Sequence, residues 1–279
     1  METLPDDLLP SIFTHLPSSD KLSTALSCRR FLAALHKKLP DASSIVILFA
    51  EKSCSAAIKG RDEATLTVCQ CPLHGCTNML YSVLPAISAR VDSLSLEDEL
   101  REESLNDVSL HALLNGCSGA PLSFLSFQHV DFSSVHPWTL ALIASFDRLE
   151  QVHVLGCLLQ ETLLLRSLSS SMHSLRLLSV TESRLATDKL CSTLSRSAPN
   201  LEEVNVRGCV NVTAFSVISL MESAMRRRND SLTLHLEETS FDSQQLQRCL
   251  SSSLMPTGKE WKTVETRVSR VSPLYIECR

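Results

Sequence analysis

The sequence predicts an α/β solenoid of short parallel strands and helices, preceded by a small all-α module. Two observations support this fold class. A short apolar pattern recurs along most of the chain at a period near 26 residues, and a segment with helical periodicity follows each copy. The first forty residues have helical spacing and do not fit the repeat.

The composition is compatible with this fold class. The 279 residues are 44% hydrophobic and 20% charged, which is enough to build a core and argues against disorder. Only seven glycines and 5% aromatic residues argue against a sandwich or barrel with many tight hairpins. The net charge of −5 leaves no electrostatic footprint for nucleic acid, so we expect no nucleic-acid partner.

The N-terminus and the apolar runs bear on location. The chain begins acidic and reaches Pro5 before any apolar run, so we expect no secretory signal. The longest apolar runs, such as residues 45–50 and 140–144, are far shorter than a membrane span. We therefore expect a cytoplasmic or nuclear protein, or one found in both places, with no membrane partner and with its eleven cysteines as thiols.

The clearest pair of repeats is LEQVHVLGC (149–157) and LEEVNVRGC (201–209), which match at a leucine, two valines and a cysteine. Further copies begin at residues 63, 91, 122, 175 and 231, and successive copies are 26 to 31 residues apart. A helical segment follows each short strand. Because one strand and one helix cannot cover each other's apolar faces fully, we expect the seven units to bury those faces by stacking.

These units resemble leucine-rich repeats, and a cysteine at the ninth position resembles the cysteine-containing subclass. Cys71, Cys157 and Cys209 occupy that position, and Ser183 and Thr239 are small polar substitutes. The chain turns inward after the strand, so a small side chain is needed beneath the neighbouring turn. Glu99 departs from the pattern at the equivalent place.

Residues 4–31 resemble an F-box. The pattern opens with Leu-Pro, an acidic residue and two aliphatic residues, continues with an aliphatic–aromatic pair and Leu-Pro, and closes with Cys-Arg-x-Phe. The early Pro10 is the one mild departure, and a proline in the first turn of a helix costs little. The resemblance covers about a seventh of the chain and holds in register at more than a dozen positions.

The resemblance implies a partner for this small module. A piece of forty residues rarely supports an independent core, and its helices would leave an apolar stripe uncovered. F-boxes bind a Skp-family adaptor and, through it, a cullin–RING ubiquitin ligase. By this resemblance the adaptor-binding residues are Leu4, Pro5, Leu8, Leu9, Ile12, Phe13, Leu16, Leu22, Cys28, Arg29 and Phe31. The alternative is that the module only caps the end of the solenoid.

Three regions follow from these patterns. Residues 1–40 form the F-box-like helical module, residues 41–255 form the leucine-rich-repeat solenoid, and residues 256–279 form a C-terminal cap or tail.

We find no catalytic motif, metal site or cofactor site in the sequence. The densest group of possible ligands is Cys69, Cys71, His74 and Cys76, but cysteine pairs that bind zinc usually leave two or more residues between the ligands. Phosphate-binding loops, dinucleotide fingerprints and nucleophile elbows do not occur. We expect no cofactor and no enzymatic activity.

Binding is expected on the strand face of the solenoid. Side chains alternate along a strand, so the residues between the buried leucines and valines line up in columns on the concave face. An apolar centre with a polar rim is common in protein interfaces. The predicted substrate-binding residues are Phe124, Gln151, His153, Leu155, Leu177, Glu203, Asn205, Arg207 and His235.

The sequence therefore predicts the substrate-recognition subunit of a Skp–cullin–F-box ubiquitin ligase, which holds a target protein through its repeats. The alternative is a non-catalytic leucine-rich-repeat scaffold without a role in ubiquitin transfer. The same F-box serves both functions, so the residues alone leave the two open.

Overall fold

The computed structural model describes residues 8, 12, 15, 44–49, 65–70, 91–98, 107–226, 232–239, 261–265 and 274–278. For Ser109, Met225 and the strands at 44–49, 65–70, 261–265 and 274–278, it describes the backbone alone. The chain divides into an N-terminal unit, Met1–Phe146, and a C-terminal unit, Asp147–Arg279. Both units combine parallel strands with helices.

The N-terminal unit contains four parallel strands in the order β2-β1-β3-β4. A short 3₁₀ helix, Leu142–Ser145, continues the last helix. The elements are β1 (Ser44–Phe49), β2 (Thr65–Gln70), β3 (Ser93–Asp98), α1 (Asp107–Gly116), β4 (Phe124–Gln128) and α2 (Pro137–Ala141).

The C-terminal unit has parallel strands β5 to β8 in chain order, then β10 antiparallel to β8 and β9 antiparallel to β10. The two antiparallel strands lie in the segment that the sequence assigns to a C-terminal cap or tail. The elements are β5 (Gln151–Leu155), α3 (Glu161–Ser167), β6 (Leu177–Thr181), α4 (Asp188–Ser197), β7 (Glu203–Asn205), α5 (Ala214–Arg226), β8 (Thr233–His235), β9 (Trp261–Glu265) and β10 (Leu274–Cys278).

The order of the first strands corrects the sequence reading. The repeats beginning at 63 and 91 were expected to be neighbours, but β1 lies between β2 and β3 and pairs with both. The segment SIVILF (44–49) forms this extra strand. A continuous apolar run is typical of a strand that is covered on both faces, whereas the repeated pattern alternates apolar and polar residues.

The predicted inward positions form the core of each unit. The inward-facing side chains of β5 to β8 are at most about 1% exposed, namely those of Val152, Val154, Leu178, Val180, Val204 and Leu234. Helix residues such as Leu164, Leu194 and Leu220 are at most 2% exposed. In the N-terminal unit Phe127 of β4 meets Phe132 edge to face, with ring centroids 5.1 Å apart. Period-two burial on the strands and period-3.6 burial on the helices explain why this pattern was visible in the sequence.

The eighth position of the repeats has a left-handed backbone. The φ angles are 57° at His129, 58° at Gly156, 52° at Glu182, 70° at Gly208 and 57° at Glu238. In the C-terminal unit Gly156, Glu182 and Gly208 extend the hydrogen bonding beyond the strands, because each N–H donates to the carbonyl oxygen at the seventh position of the next repeat. The N···O distance is 3.0 Å from Gly156 to Thr181, 2.9 Å from Glu182 to Arg207 and 2.9 Å from Gly208 to Glu237.

The ninth position is buried, as the sequence indicates, at Cys157, Ser183 and Cys209. The Cys209 thiol lies 3.1 Å from the Val180 carbonyl oxygen of the preceding repeat, and Ser183 Oγ lies 3.4 Å from that of Cys157. Thr239 is half-exposed, and Cys71 lies outside the described residues.

Carboxylates at helix starts link successive helices. In the N-terminal unit Asp107 Oδ1 accepts a 2.8 Å hydrogen bond from the His136 N–H at the start of α2. In the C-terminal unit Glu161 Oε1 accepts from Thr187 Oγ1 at 2.5 Å and from the Leu190 N–H at 2.8 Å. Each carboxylate therefore caps the helix of the next repeat.

Asp188 repeats this arrangement at the start of α4. Its carboxylate accepts from the Thr213 N–H at 2.9 Å, from Thr213 Oγ1 at 2.8 Å and from Ser216 Oγ. Burial alone would raise the pKa of Asp188, but the hydrogen bonds from Ser216 and Thr213 outweigh it and lower the pKa. The ionised carboxylate is thus part of the contact between α4 and α5.

Candidate interaction site

Two of the eleven predicted adaptor residues lie in the described part of the chain. The Ile12 N–H donates to the Leu8 carbonyl oxygen at 3.0 Å, so these residues form one helical turn and share a face. Leu8 is 49% exposed, while Ile12 is half-buried. The other nine lie outside the described residues: Leu4, Pro5, Leu9, Phe13, Leu16, Leu22, Cys28, Arg29 and Phe31.

The predicted binding residues of the C-terminal unit form columns across β5 to β8. Gln151, Leu177, Glu203 and Thr233 are paired in register in the first column. The second column holds His153, Ser179, Asn205 and His235. Arg207 follows β7, and its N–H donates to Asn205 Oδ1 at 3.1 Å. We refer to residues 150–156, 176–182, 202–208 and 232–238 as the strand face.

Phe124 belongs to the other unit. It is half-buried at the start of β4, where it pairs in register with Ser93. The residues named as the strand face all lie in the C-terminal unit, so Phe124 is not among them.

Two histidines interact with one carboxylate on the strand face. His235 Nε2 lies 2.9 Å from Glu203 Oε1, with the His235 side chain 21% exposed. Burial lowers the pKa of His153. It outweighs the electrostatic attraction of Glu203, which favours the charged imidazole. The His153 imidazole is therefore predominantly neutral at neutral pH.

Both arginines of the strand face lie beside glutamates. Arg176 forms a forked contact with Glu202 at 2.9 and 3.0 Å and lies 3.8 Å from Glu150. Its hydrogen bonds to Glu202 raise the pKa of Arg176 further. Arg207 lies 3.5 Å from Glu237 and 3.9 Å from Glu238.

Sequence reasoning missed five of these charged residues: Glu150, Arg176, Glu182, Glu202 and Glu238. They occupy the second and eighth positions of the repeat, on either side of the alternating strand residues. The prediction considered only the alternation of side chains along each strand, and it did not include the left-handed turn at position eight. The recurrence of charge at those two positions was the available signal.

The described residues offer little chemistry. Burial raises the pKa of Cys117 and Cys191 to about 12, so both remain thiols at neutral pH and are poor nucleophiles. Across the described ranges no group of three or more His, Cys, Asp or Glu side chains is placed to hold a metal ion. Of the cluster at 69–76, Cys71, His74 and Cys76 lie outside those ranges, and only the backbone of Cys69 is described.

Among the described helices, none is both long enough and apolar enough to cross a bilayer.

The F-box domain family matches residues 1–41. This agrees with the F-box resemblance that the sequence motif indicates. F-box domains bind Skp-type adaptors within cullin–RING ligases, and F-box proteins are generally non-catalytic adaptor subunits. No curated protein matches the chain.

Proposed function

We propose that this protein is the substrate-recognition subunit of a Skp–cullin–F-box ubiquitin ligase and catalyses no reaction itself. The F-box domain at residues 1–41 is the observation that carries the proposal. The F-box residues bind the adaptor, and the repeats hold a target protein. Cytoplasm, nucleus or both are the compartments in which this function would take place.

The exposure of Leu8 supports adaptor binding. A leucine that is 49% exposed on the same helical turn as Ile12 leaves apolar surface facing solvent. Apolar surface of this kind is covered when a partner binds. The remaining predicted contacts, from Leu4 to Phe31, extend the same motif.

We propose that the repeats form a leucine-rich-repeat solenoid. Support comes from the pairing of β5 to β8 in chain order and in register. The left-handed residue at position eight and the buried ninth position recur with the same period. Stacked repeats of this kind expose a row of strand side chains that suits protein binding.

The target-binding residues would be those of the strand face: Gln151, His153, Leu155, Leu177, Glu203, Asn205, Arg207 and His235. Phe124 stays a predicted binding residue of the N-terminal unit. Binding would raise the effective concentration of target lysines near the loaded ubiquitin-conjugating enzyme, so the receptor would need no catalytic group.

Co-purification from cells tests the proposal. The wild-type protein is compared with Leu4→Ala/Pro5→Ala, and the Skp-type adaptor and the cullin are probed. The control is Val108→Ala/Leu158→Ala, which truncates side chains that are 70% and 65% exposed and lie outside the F-box. We expect the wild type and the control to recover both partners and the F-box variant to lose both.

The other outcomes separate the alternatives. Recovery of the adaptor without the cullin would favour the interaction scaffold. If a folded wild-type protein recovers neither partner, the first forty residues only cap the solenoid and the proposal is overturned.

A further inference from the structure

We propose that the strand face binds an extended, positively charged segment of the target in which lysine or arginine side chains accompany an aliphatic or aromatic one. The inference rests on the proposed function, because it assigns a chemistry to the target-binding face. The distribution of charge and apolar surface on that face supports it.

The strand face is acidic. It carries six carboxylates against the guanidinium groups of Arg176 and Arg207, so its net charge is −4 with neutral histidines. The whole chain, which is far larger, has a net charge of only −5. The carboxylates belong to Glu150, Glu182, Glu202, Glu203, Glu237 and Glu238.

The positive groups on this face are already neutralised. Arg176 lies between Glu150 and Glu202, and Arg207 contacts Glu237 and Glu238. Neither guanidinium is therefore well placed to receive an acidic or phosphorylated segment. His153 adds no positive charge at neutral pH because its burial lowers its pKa. The surplus negative charge favours a cationic occupant.

An apolar strip accompanies the charge. Leu177 of β6 is in register with Gln151 of β5, and His153 and Leu155 follow Gln151 at two-residue steps on the same side of β5. Leu177, His153 and Leu155 therefore run diagonally across two strands, and all three are half-buried. A neutral imidazole between two leucines presents a largely apolar surface.

The face thus has two halves. The apolar strip lies on β5 and at the start of β6. The carboxylates of the other half are those of Glu182, which follows β6 and donates its N–H to the Arg207 carbonyl oxygen, and of Glu203, Glu237 and Glu238 on or just after β7 and β8. Four strands spaced about 4.8 Å apart span about 14 Å, which an extended segment covers with four to five residues. One segment lying across the strands can place an apolar side chain on the first half and basic side chains on the second.

Selection from a random displayed peptide library on the full-length protein tests this assignment. We expect the enriched peptides to be positively charged and to contain at least one aliphatic or aromatic residue. Their binding should weaken as salt is added, since exposed charges are screened.

Two charge reversals provide matched variants for the same peptides. Glu182→Lys changes an exposed residue of the strand face, whereas Glu222→Lys makes the same change at an exposed residue on α5. We expect Glu182→Lys to weaken binding about tenfold and Glu222→Lys to leave it unchanged. The reversal at Glu182 removes an attractive charge pair and adds a repulsive one, and each exposed pair changes affinity by up to about fivefold. The Glu182→Gln variant should fall between the wild type and Glu182→Lys.

Enrichment of acidic or uncharged peptides, equal effects of the two reversals, or no enrichment at all would overturn the inference. Retention of the adaptor and cullin in the same preparations would show that the proposed function survives such a failure. Loss of both from a folded wild-type protein would instead overturn the proposed function.

Discussion

The two units of the chain use the same pattern of strands and helices but order their strands differently. In the C-terminal unit β5 to β8 follow chain order, and their first residues are 26, 26 and 30 positions apart. In the N-terminal unit β1 lies between β2 and β3, so chain order and spatial order differ.

The difference shows when a sequence period predicts neighbours. A constant spacing gives each strand a similar connection, and the same short crossover leads it to the adjacent position. An apolar run such as SIVILF has no alternating pattern, so the sequence does not reveal that it pairs on both edges. Strand order can be predicted from the period only where the period is regular.

Loss of core volume should have the largest effect on the regular unit. Leu178 in β6 is 1% exposed, and the Leu178→Ala variant should lose about 2–5 kcal/mol of unfolding free energy through lost burial and the cavity left behind. Leu158→Ala is the control, because the same change at a side chain that is 65% exposed should cost under about 0.5 kcal/mol. Chemical denaturation of both variants measures the difference. Equal losses would mean that the register of β6 is wrong.

The link between α4 and α5 should have the next largest effect. Asp188→Asn keeps the shape but removes the negative charge that accepts hydrogen bonds from Thr213 and Ser216, so we expect a loss of about 1–2 kcal/mol. Asp107→Asn is the matched change in the N-terminal unit, where Asp107 accepts from His136. Urea denaturation near pH 7 measures both losses.

The effect of Asp188 should depend on pH in one direction. Its pKa is lowered in the folded protein from an ordinary value of 3.8, so its contribution is complete well above that value. The contribution should be lost as the pH falls through 3.8 toward the lower folded pKa. A difference between wild type and Asp188→Asn that persists unchanged into strong acid would contradict this interpretation.

The left-handed position offers a pair of opposite changes in neighbouring repeats. Gly208 has φ 70°, and a Cβ there would lie 3.3 Å from the Glu182 Cα, so Gly208→Ala should cost about 1–2 kcal/mol. Glu182 has φ 52°, so Glu182→Gly should relieve strain and stabilise by up to about 1 kcal/mol. Thermal unfolding of both variants tests the signs. A stabilising Gly208→Ala would show that this turn is not left-handed.

The smallest effect is expected at the strand-face ion pair. Arg176 and Glu202 are joined by three hydrogen bonds, but their side chains are 53% and 42% exposed. Water screens such a pair, so Arg176→Gln should lower the denaturation midpoint only slightly, and by less at high salt. A loss as large as that of Leu178→Ala would show that the pair is more deeply buried than the structure has it. Denaturation at two salt concentrations makes the comparison.

Much of the regular unit could be predicted from its residues. Leu149, Val152, Val154 and Cys157 are buried as their alternation indicates, and α4 begins near the Thr187 cap, whose side chain accepts from the Lys189 N–H. The F-box could also be predicted from the sequence, because its motif is a local series of residue types. Local periodicity and local motifs are properties of the sequence itself.

Other features depend on residues far apart in the chain. The pairing of Glu203 with His235 spans 32 positions, and the lowered pKa of His153 depends on burial within the folded unit. The corrected place of β1 is of the same kind. None of these has a local pattern.

By itself, the sequence determined which residues are apolar at period two or 3.6, where the repeats begin, and that residues 1–41 carry an F-box. The tertiary structure decided which strands are neighbours and which charges meet on the strand face. Hydrogen-bond register and charge pairing arise between segments that only folding brings together. Hydrophobic periodicity, by contrast, is already present along the unfolded chain.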